Sequence, residues 1–310
     1  MERNPRNRRR NRHRRVCWQK WAIILAAGGL VIFGAVMLIG YGLDMLSARR
    51  TSQELRDVYY HEASPTPEIA EITPSPLPIA TPGPTVPASP APTQTPLARL
   101  PSVSYPDNPK LQISSRFKAL QKESKYIVGW LTVNSLLDEP VVQKDNEYFL
   151  TRDAKGKENV NGALFLDVAV SLKTRPYTLI IYGHNMKSGA MFGSLRNYET
   201  SAYYHYNPFI TFDTLYEEGR YVIFAIANIN IVDFYSLKSD NERERQTVCQ
   251  TLVSSSVHTC NIDVQPSDQL LVLSTCVDND NERRVVVARR IRDGEDEKDL
   301  QALVMKSQKR

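Results

Sequence analysis

The chain is poor in the residues from which metal and redox sites are made. It holds four cysteines and five histidines in 310 residues. No two cysteines form a Cys-x-x-Cys pair, which argues against a zinc or dithiol redox site. Nothing in the chain suggests a nucleotide or another cofactor, and no acidic cluster marks a calcium site. There is no internal repeat. Charge is missing altogether from Trp21 to Leu43. As a helix rising ~1.5 Å per residue this run spans roughly 34 Å, enough to cross a hydrocarbon core of about 30 Å.

Positive charge is concentrated just ahead of that run. Residues 1–20 carry eight Arg and one Lys against one Glu, a net of +8, while the whole chain carries +5, so residues 21–310 sum to −3. The basic balance therefore belongs to the tail and does not describe a nucleic-acid-binding domain. An Arg cluster on the N-terminal flank of an apolar run places the N-terminus in the cytoplasm and the remainder outside. The run is longer than a signal-peptide core and ends without a small-x-small cleavage site, so it reads as an uncleaved signal anchor. Cys17 then falls on the cytoplasmic side. Cys249 and Cys260 are either a disulfide in an oxidising exterior or two buried thiols.

From Ser64 to Pro109, fourteen of 46 residues are proline. Such a stretch cannot bury a core and favours extended polyproline II geometry, which makes it a spacer; a ligand for a proline-recognition domain is the lesser alternative. The expected organisation is a basic cytoplasmic tail (1–20), a membrane anchor (21–43), a juxtamembrane segment and Pro-rich spacer (44–109), one globular domain (110–295) and a charged tail that frays (296–310). Residues 44–62 are expected to extend the membrane helix outward for a few turns. Within the domain an amphipathic helix is expected over 111–124. Strand-like runs follow at 126–133, 139–143, 162–167, 177–182, 208–213, 220–229, 269–274 and 284–291, with helical segments near 190–197 and 241–255. Many short strands separated by turn residues indicate a sandwich or closed barrel.

Two of these runs end in reactive side chains. Thr178-Leu-Ile-Ile-Tyr182 leads through Gly183 to His184, where the glycine is expected to let the backbone turn. Leu270-Leu-Val-Leu-Ser-Thr275 leads to Cys276, and Arg283-Arg284 opens the next run. A thiol needs a base to become a nucleophile, and a cation or amide to hold the oxyanion it creates. Each residue alone is ordinary: a free Cys is often buried, and charged residues often open strands. Three such groups at strand mouths in an exported domain point to cysteine chemistry. Strand residues alternate faces, so only one of the two arginines can point at the site.

Longer blocks extend the pattern. They are Val128-Gly-Trp130-Leu-Thr-Val, Glu139-Pro-Val-Val-Gln143, Asp145-Asn-Glu-Tyr148, Asn161-Gly-Ala-Leu-Phe-Leu-Asp167, Tyr182-Gly-His184-Asn-Met, Met191-Phe192-Gly-Ser-Leu195 and Leu273-Ser-Thr-Cys276, with Asp278 two residues on. In these blocks the chain resembles the class B sortases over about Tyr126–Arg292. The resemblance implies a mainly β fold: an eight-stranded closed barrel with peripheral helices, one of them long and just ahead of the Cys strand. It implies His184, Cys276 and Arg283 as catalytic residues, although the doubled Arg leaves Arg284 in contention. Asn185, Ser274, Thr275, Asp278 and Arg284 are the expected supporting or substrate-binding positions.

The activity so implied is that of a membrane-anchored cysteine transpeptidase. It would cleave a C-terminal sorting signal of secreted proteins through a Cys thioester. The acyl group would pass to an amine of a peptidoglycan precursor or of a pilin, without metal, cofactor or nucleic acid. Two other readings stand beside it: a secreted cysteine peptidase that passes the acyl group to water, and a non-catalytic anchored binding module on the same barrel.

Overall fold

The computed structural model describes residues 6–61, 105, 107–134, 136–239, 241–276 and 282–310, and for 6–23, 231–233 and 276 the backbone alone. The Pro-rich stretch between 62 and 104, and Asp278, lie outside the described residues.

Eight strands form one closed barrel: β1 (Ile127–Val133), β2 (Leu137–Val142), β3 (Leu164–Leu166), β4 (Thr178–Tyr182), β5 (Phe209–Thr214), β6 (Arg220–Asn230), β7 (Leu270–Cys276) and β8 (Glu282–Arg290). Their order around the barrel is β1-β2-β3-β4-β7-β8-β6-β5, and β5 pairs with β1 to close it. The β2–β3 and β4–β7 pairs are parallel and the others antiparallel. Closure removes the open edges that would otherwise recruit other strands. The barrel is filled by apolar side chains, among them Leu131, Ile181, Phe212, Ile223, Leu273 and Val286. All eight expected strands are present. The last begins two residues earlier than expected, at Glu282, which brings both arginines into the sheet.

Six helices flank the barrel among the described residues: α1 (Arg6–His61), α2 (Ser115–Glu123), α3 (Ser201–Tyr206), α4 (Ile231–Ser236), α5 (Glu242–Ser255) and α6 (Glu297–Val304). α2 starts four residues later than the apolar spacing suggests. Ser114 caps it, and Leu111 has a left-handed backbone that no helix accepts. α5 is the expected long helix ahead of the Cys strand. The Asn241 side chain accepts from the amides of Arg243 and Glu244 at its start. The helical segment near 190–197 is a 3₁₀ stretch at Phe192–Glu199, and α3 and α4 were not expected.

One expectation fails. The C-terminal residues do not fray: α6 buries Leu300 and Val304, and beyond it His258 bridges to Lys309. Residues 44–61 continue the membrane helix outward, as expected, and they also pack on the domain. α1 is one continuous helix whose apolar part is long enough to span a membrane, which supports single-pass anchoring. Its last turns lie on the barrel. Leu55 and Tyr59 are buried there beside Phe117, Leu120 and Trp130, and the rings of Tyr59 and Trp130 stack at 4.4 Å. Arg56 pairs with Asp138 at 2.8 Å, Ser52 donates to Glu139 at 2.5 Å, and Tyr59 donates to Asp213. This face of α1 was hidden in the sequence because its apolar residues are few and widely spaced.

Candidate active site

Strand register brings the three groups together. β4 and β7 run parallel with Tyr182 beside Ser274, and the Gly183 amide donates to the Ser274 carbonyl at 3.2 Å. His184 and Cys276 each lie two residues further along, so both stand at the same end of adjacent strands, where parallel neighbours are about 4.8 Å apart. β7 and β8 run antiparallel with Cys276 directly opposite Arg283 and Thr275 opposite Arg284. Directly opposed residues share a face and successive residues alternate. Position 283 is therefore on the face of position 276, and position 284 is on the other.

The side-chain contacts of the two arginines agree with this division. Arg284 pairs with Glu199 at 2.6 Å and lies near Asn228 at 3.4 Å. Arg283 is half-buried, donates to the Glu282 carbonyl at 3.3 Å, and is close enough to Tyr182 to favour its phenolate.

His184 is half-buried. Its Nε2 lies 2.6 Å from the Leu150 carbonyl. A carbonyl can only accept, so Nε2 carries the hydrogen and Nδ1 is left for proton exchange. Gly183 does not use the left-handed backbone region open to glycine. It supplies space: a Cβ there would lie 2.5 Å from Leu164 and 2.8 Å from Phe192. Gly162 does need its freedom. At φ +63° its missing Cβ would meet the Phe149 carbonyl at 2.6 Å and the His184 ring at 3.1 Å.

Of the supporting positions, Ser274 and Thr275 are buried, and their hydroxyls have no hydrogen-bond partner. Successive strand residues alternate faces, so Ser274 shares the face of position 276 and Thr275 lies on the face of Arg284. Asn185 is half-buried and bridges to Met191, folding the His segment back on itself. The other thiols are set apart from this end of the barrel. Cys249 and Cys260 are unpaired, which settles the disulfide question. Burial pushes the Cys249 thiol up to about 11, and also raises that of Cys260.

Sequence reasoning missed one cluster next to the site. Tyr182 donates to Asp167 at 2.6 Å, and Lys238 pairs with the same carboxylate at 2.6 Å. Burial pushes Asp167 up, but the hydrogen bonds from Lys238 and Tyr182 outweigh it and hold the carboxyl below its usual range. The phenol of Tyr182 is raised by burial and then by Asp167. Tyr182 and Asp167 both stand in the motif blocks. Lys238 follows α4, far along the chain, and no local pattern marks it.

A thiol position opposite one arginine and beside a histidine strand, on a closed eight-stranded barrel, has relatives. A family model described as the sortase domain matches residues 133–291. The chain belongs to the class B sortases. It is 31% identical over 169 residues to sortase B of Listeria monocytogenes, covering 53% of this chain and 68% of that one. It is 29% identical over 185 residues to sortase B of Staphylococcus aureus, covering 58% and 75%. Among solved structures, a Bacillus anthracis protein similar to sortase B matches with a TM-score of 0.59 at 26% identity, over 79% of this chain and 96% of that one. The S. aureus sortase B–substrate complex matches with a TM-score of 0.55 at 28% identity, over 59% and 88%. Sortase membership makes an enzymatic role in cell-wall chemistry the general expectation for this protein.

Proposed function

We propose that this sortase is a cysteine transpeptidase in which Cys276, His184 and Arg283 perform the chemistry. The observation that carries the proposal is the β7–β8 register, with Cys276 opposite Arg283 and the His184 strand end alongside. His184 Nδ1 takes the proton of the Cys276 thiol, and the resulting thiolate attacks the carbonyl at the cleavage point of a sorting signal near the C-terminus of a secreted protein. The Arg283 guanidinium holds the oxyanion. His184 Nδ1 gives a proton to the departing amine, and a thioester remains. An amine of a peptidoglycan precursor or a pilin then attacks the thioester, and His184 takes its proton. The Ser274 hydroxyl, on the face of position 276, contacts the bound peptide, Thr275 supports the strand from the other face, and Asn185 and Asp278 support the two motif segments. The N-terminus lies in the cytoplasm and the barrel outside, as the Arg-rich tail favours.

An arginine opposite the thiol, in place of the Asn or Asp that orients a peptidase histidine, favours transfer over hydrolysis. The test measures thioester formation and aminolysis together, with a thiol-reactive sorting-peptide analogue and an oligoglycine acceptor. Wild type should be labelled at Cys276 and should transfer to the amine. Cys276→Ala should lose both while keeping its melting temperature. Unchanged turnover in that variant removes the assignment, and hydrolysis unaffected by the acceptor favours the peptidase reading.

A further inference from the structure

The barrel meets α1 immediately where the apolar run ends. The Asn159 side-chain amide donates to the Asp44 carbonyl at 2.8 Å and lies 3.0 Å from the Ser47 hydroxyl. Thr51 donates to Asp153 at 3.1 Å, and Lys155 pairs with Glu54 at 2.9 Å. One segment of the barrel, Thr151 to Val160, thus lies along α1 from Asp44 onward. The headgroup layer extends about 5–7 Å beyond the hydrocarbon on each side. With Leu43 at the hydrocarbon boundary, residues 44–47 of a helix rising ~1.5 Å per residue occupy about 6 Å, the depth of that layer. A residue bonded to both Asp44 and Ser47 lies within it.

The surface of this segment matches such a place. Val160, next to Asn159, is 50% exposed, and on the helix Leu43 and Leu46 are 62% and 53% exposed. Arg49, Arg50 and Lys157 are exposed and have no ion-pair partner within 4 Å among the described residues. The exposed acid of the segment, Glu158, faces Arg152 at 3.8 Å. Apolar side chains flanked by unpaired cations suit the boundary between acyl chains and anionic headgroups.

We propose that the segment Thr151–Val160 docks in the anionic headgroup layer of the bilayer that α1 crosses, and so holds the catalytic end of the barrel at the membrane surface. The inference deepens the reading above and rests on α1 as the membrane span; it does not depend on the catalytic roles. The link to the site is short. Leu150, which immediately precedes the segment, supplies the carbonyl that holds His184 Nε2, and the Asn159 carbonyl accepts from the Gly162 amide beneath the His184 ring. A peptide substrate then reaches His184 from the side of the headgroup layer.

The test uses the full chain in nanodiscs containing phosphatidylglycerol. An environment-sensitive fluorescent amino acid replaces Val160, Tyr206 or Ile32 in three separate variants, and quenching by nitroxide lipids labelled at the headgroup or deep in the acyl chain is read. Tyr206 is 78% exposed at the end of α3, where the neighbouring His205 bonds the Ser307 carbonyl beyond α6. Position 160 should be quenched by the headgroup label several-fold more than position 206, and position 32 by the acyl-chain label. A polar seven-residue helical insertion after Leu43 lifts the barrel about 10 Å with its facing nearly kept. It should abolish quenching at 160 and leave position 32 unchanged. Quenching at 160 no stronger than at 206, with position 32 still quenched, overturns the docking while the anchor stands. Quenching at 160 that survives the insertion also overturns it. Loss of quenching at 32 would instead strike at the span itself.

Discussion

Arg283 and Arg284 are chemically identical neighbours, and pleating alone separates their tasks. Arg283 shares a face with position 276, while Arg284 is committed to Glu199. Arg283→Ala should lower kcat/KM for transfer by about 10²–10³-fold, the range seen when an oxyanion donor is removed, with little change in melting temperature. Arg284→Ala should leave kcat/KM within a few-fold and lower stability by no more than ~1 kcal/mol, since Glu199 is 47% exposed and solvent screens the pair. Steady-state kinetics and denaturation of both variants separate the two roles; equal losses of activity would remove the distinction. The tautomer of His184 belongs to the same scale. The motif identified the residue, but only the Leu150 carbonyl shows which nitrogen is free.

At the scale of elements, the two ends of the described chain behave unlike their composition. Residues 44–61 read only as an outward continuation of the membrane helix and residues 296–310 as a fraying tail, yet both carry a narrow apolar stripe that docks. Leu300 is 4% exposed, and Leu300→Ala should cost about 2–4 kcal/mol, read by chemical denaturation in detergent; a cost near zero would mean α6 is not packed. The α1 interface carries a pH dependence. Burial raises the Glu139 carboxyl from its ordinary 4.5 to about 7. Between those values the docked protein keeps a proton that the unfolded chain has released. Docking is therefore strongest below about pH 4.5 and weakens as pH rises through about 7. Glu139→Gln keeps the acceptor for Ser52 and removes the titration. Hydrogen exchange of residues 48–60 should become faster from pH 5 to pH 8 in wild type, after correction for intrinsic rates, by more than in the variant.

At the scale of the molecule, both flanks of the Pro-rich stretch return to one place. Tyr59 of α1 bonds Asp213, and Tyr105 packs its ring 5.6 Å from that of Tyr216. Asp213 and Tyr216 belong to the same β5–β6 hairpin, so the chain leaves and re-enters the domain at neighbouring points. The separation of barrel and membrane is then set by α1 and not by the proline-rich residues. Shortening residues 62–104 to about a dozen should leave transfer activity unchanged and stabilise the fold by about 1 kcal/mol, because loop-closure entropy grows with the logarithm of length. Loss of membrane-localised activity would restore the spacer reading.

The strands, the apolar span and the strand-end positions of His184 and Cys276 were legible along the chain because each is a local property: a run of β-branched residues, an uncharged stretch, a motif at a strand end. The docking of α1 and α6, the α3 and α4 helices and the Lys238–Asp167–Tyr182 cluster were not, because each depends on surfaces or charges brought from distant parts of the sequence. Composition and motif order by themselves determined a membrane-anchored sortase barrel with Cys276 and His184 at strand ends. Only the closed sheet decided which arginine faces the thiol position and how the domain sits on its anchor. The reason is physical: hydrogen-bonded register between strands sets which side chains share a face, and register is a relation between segments that neither segment contains alone.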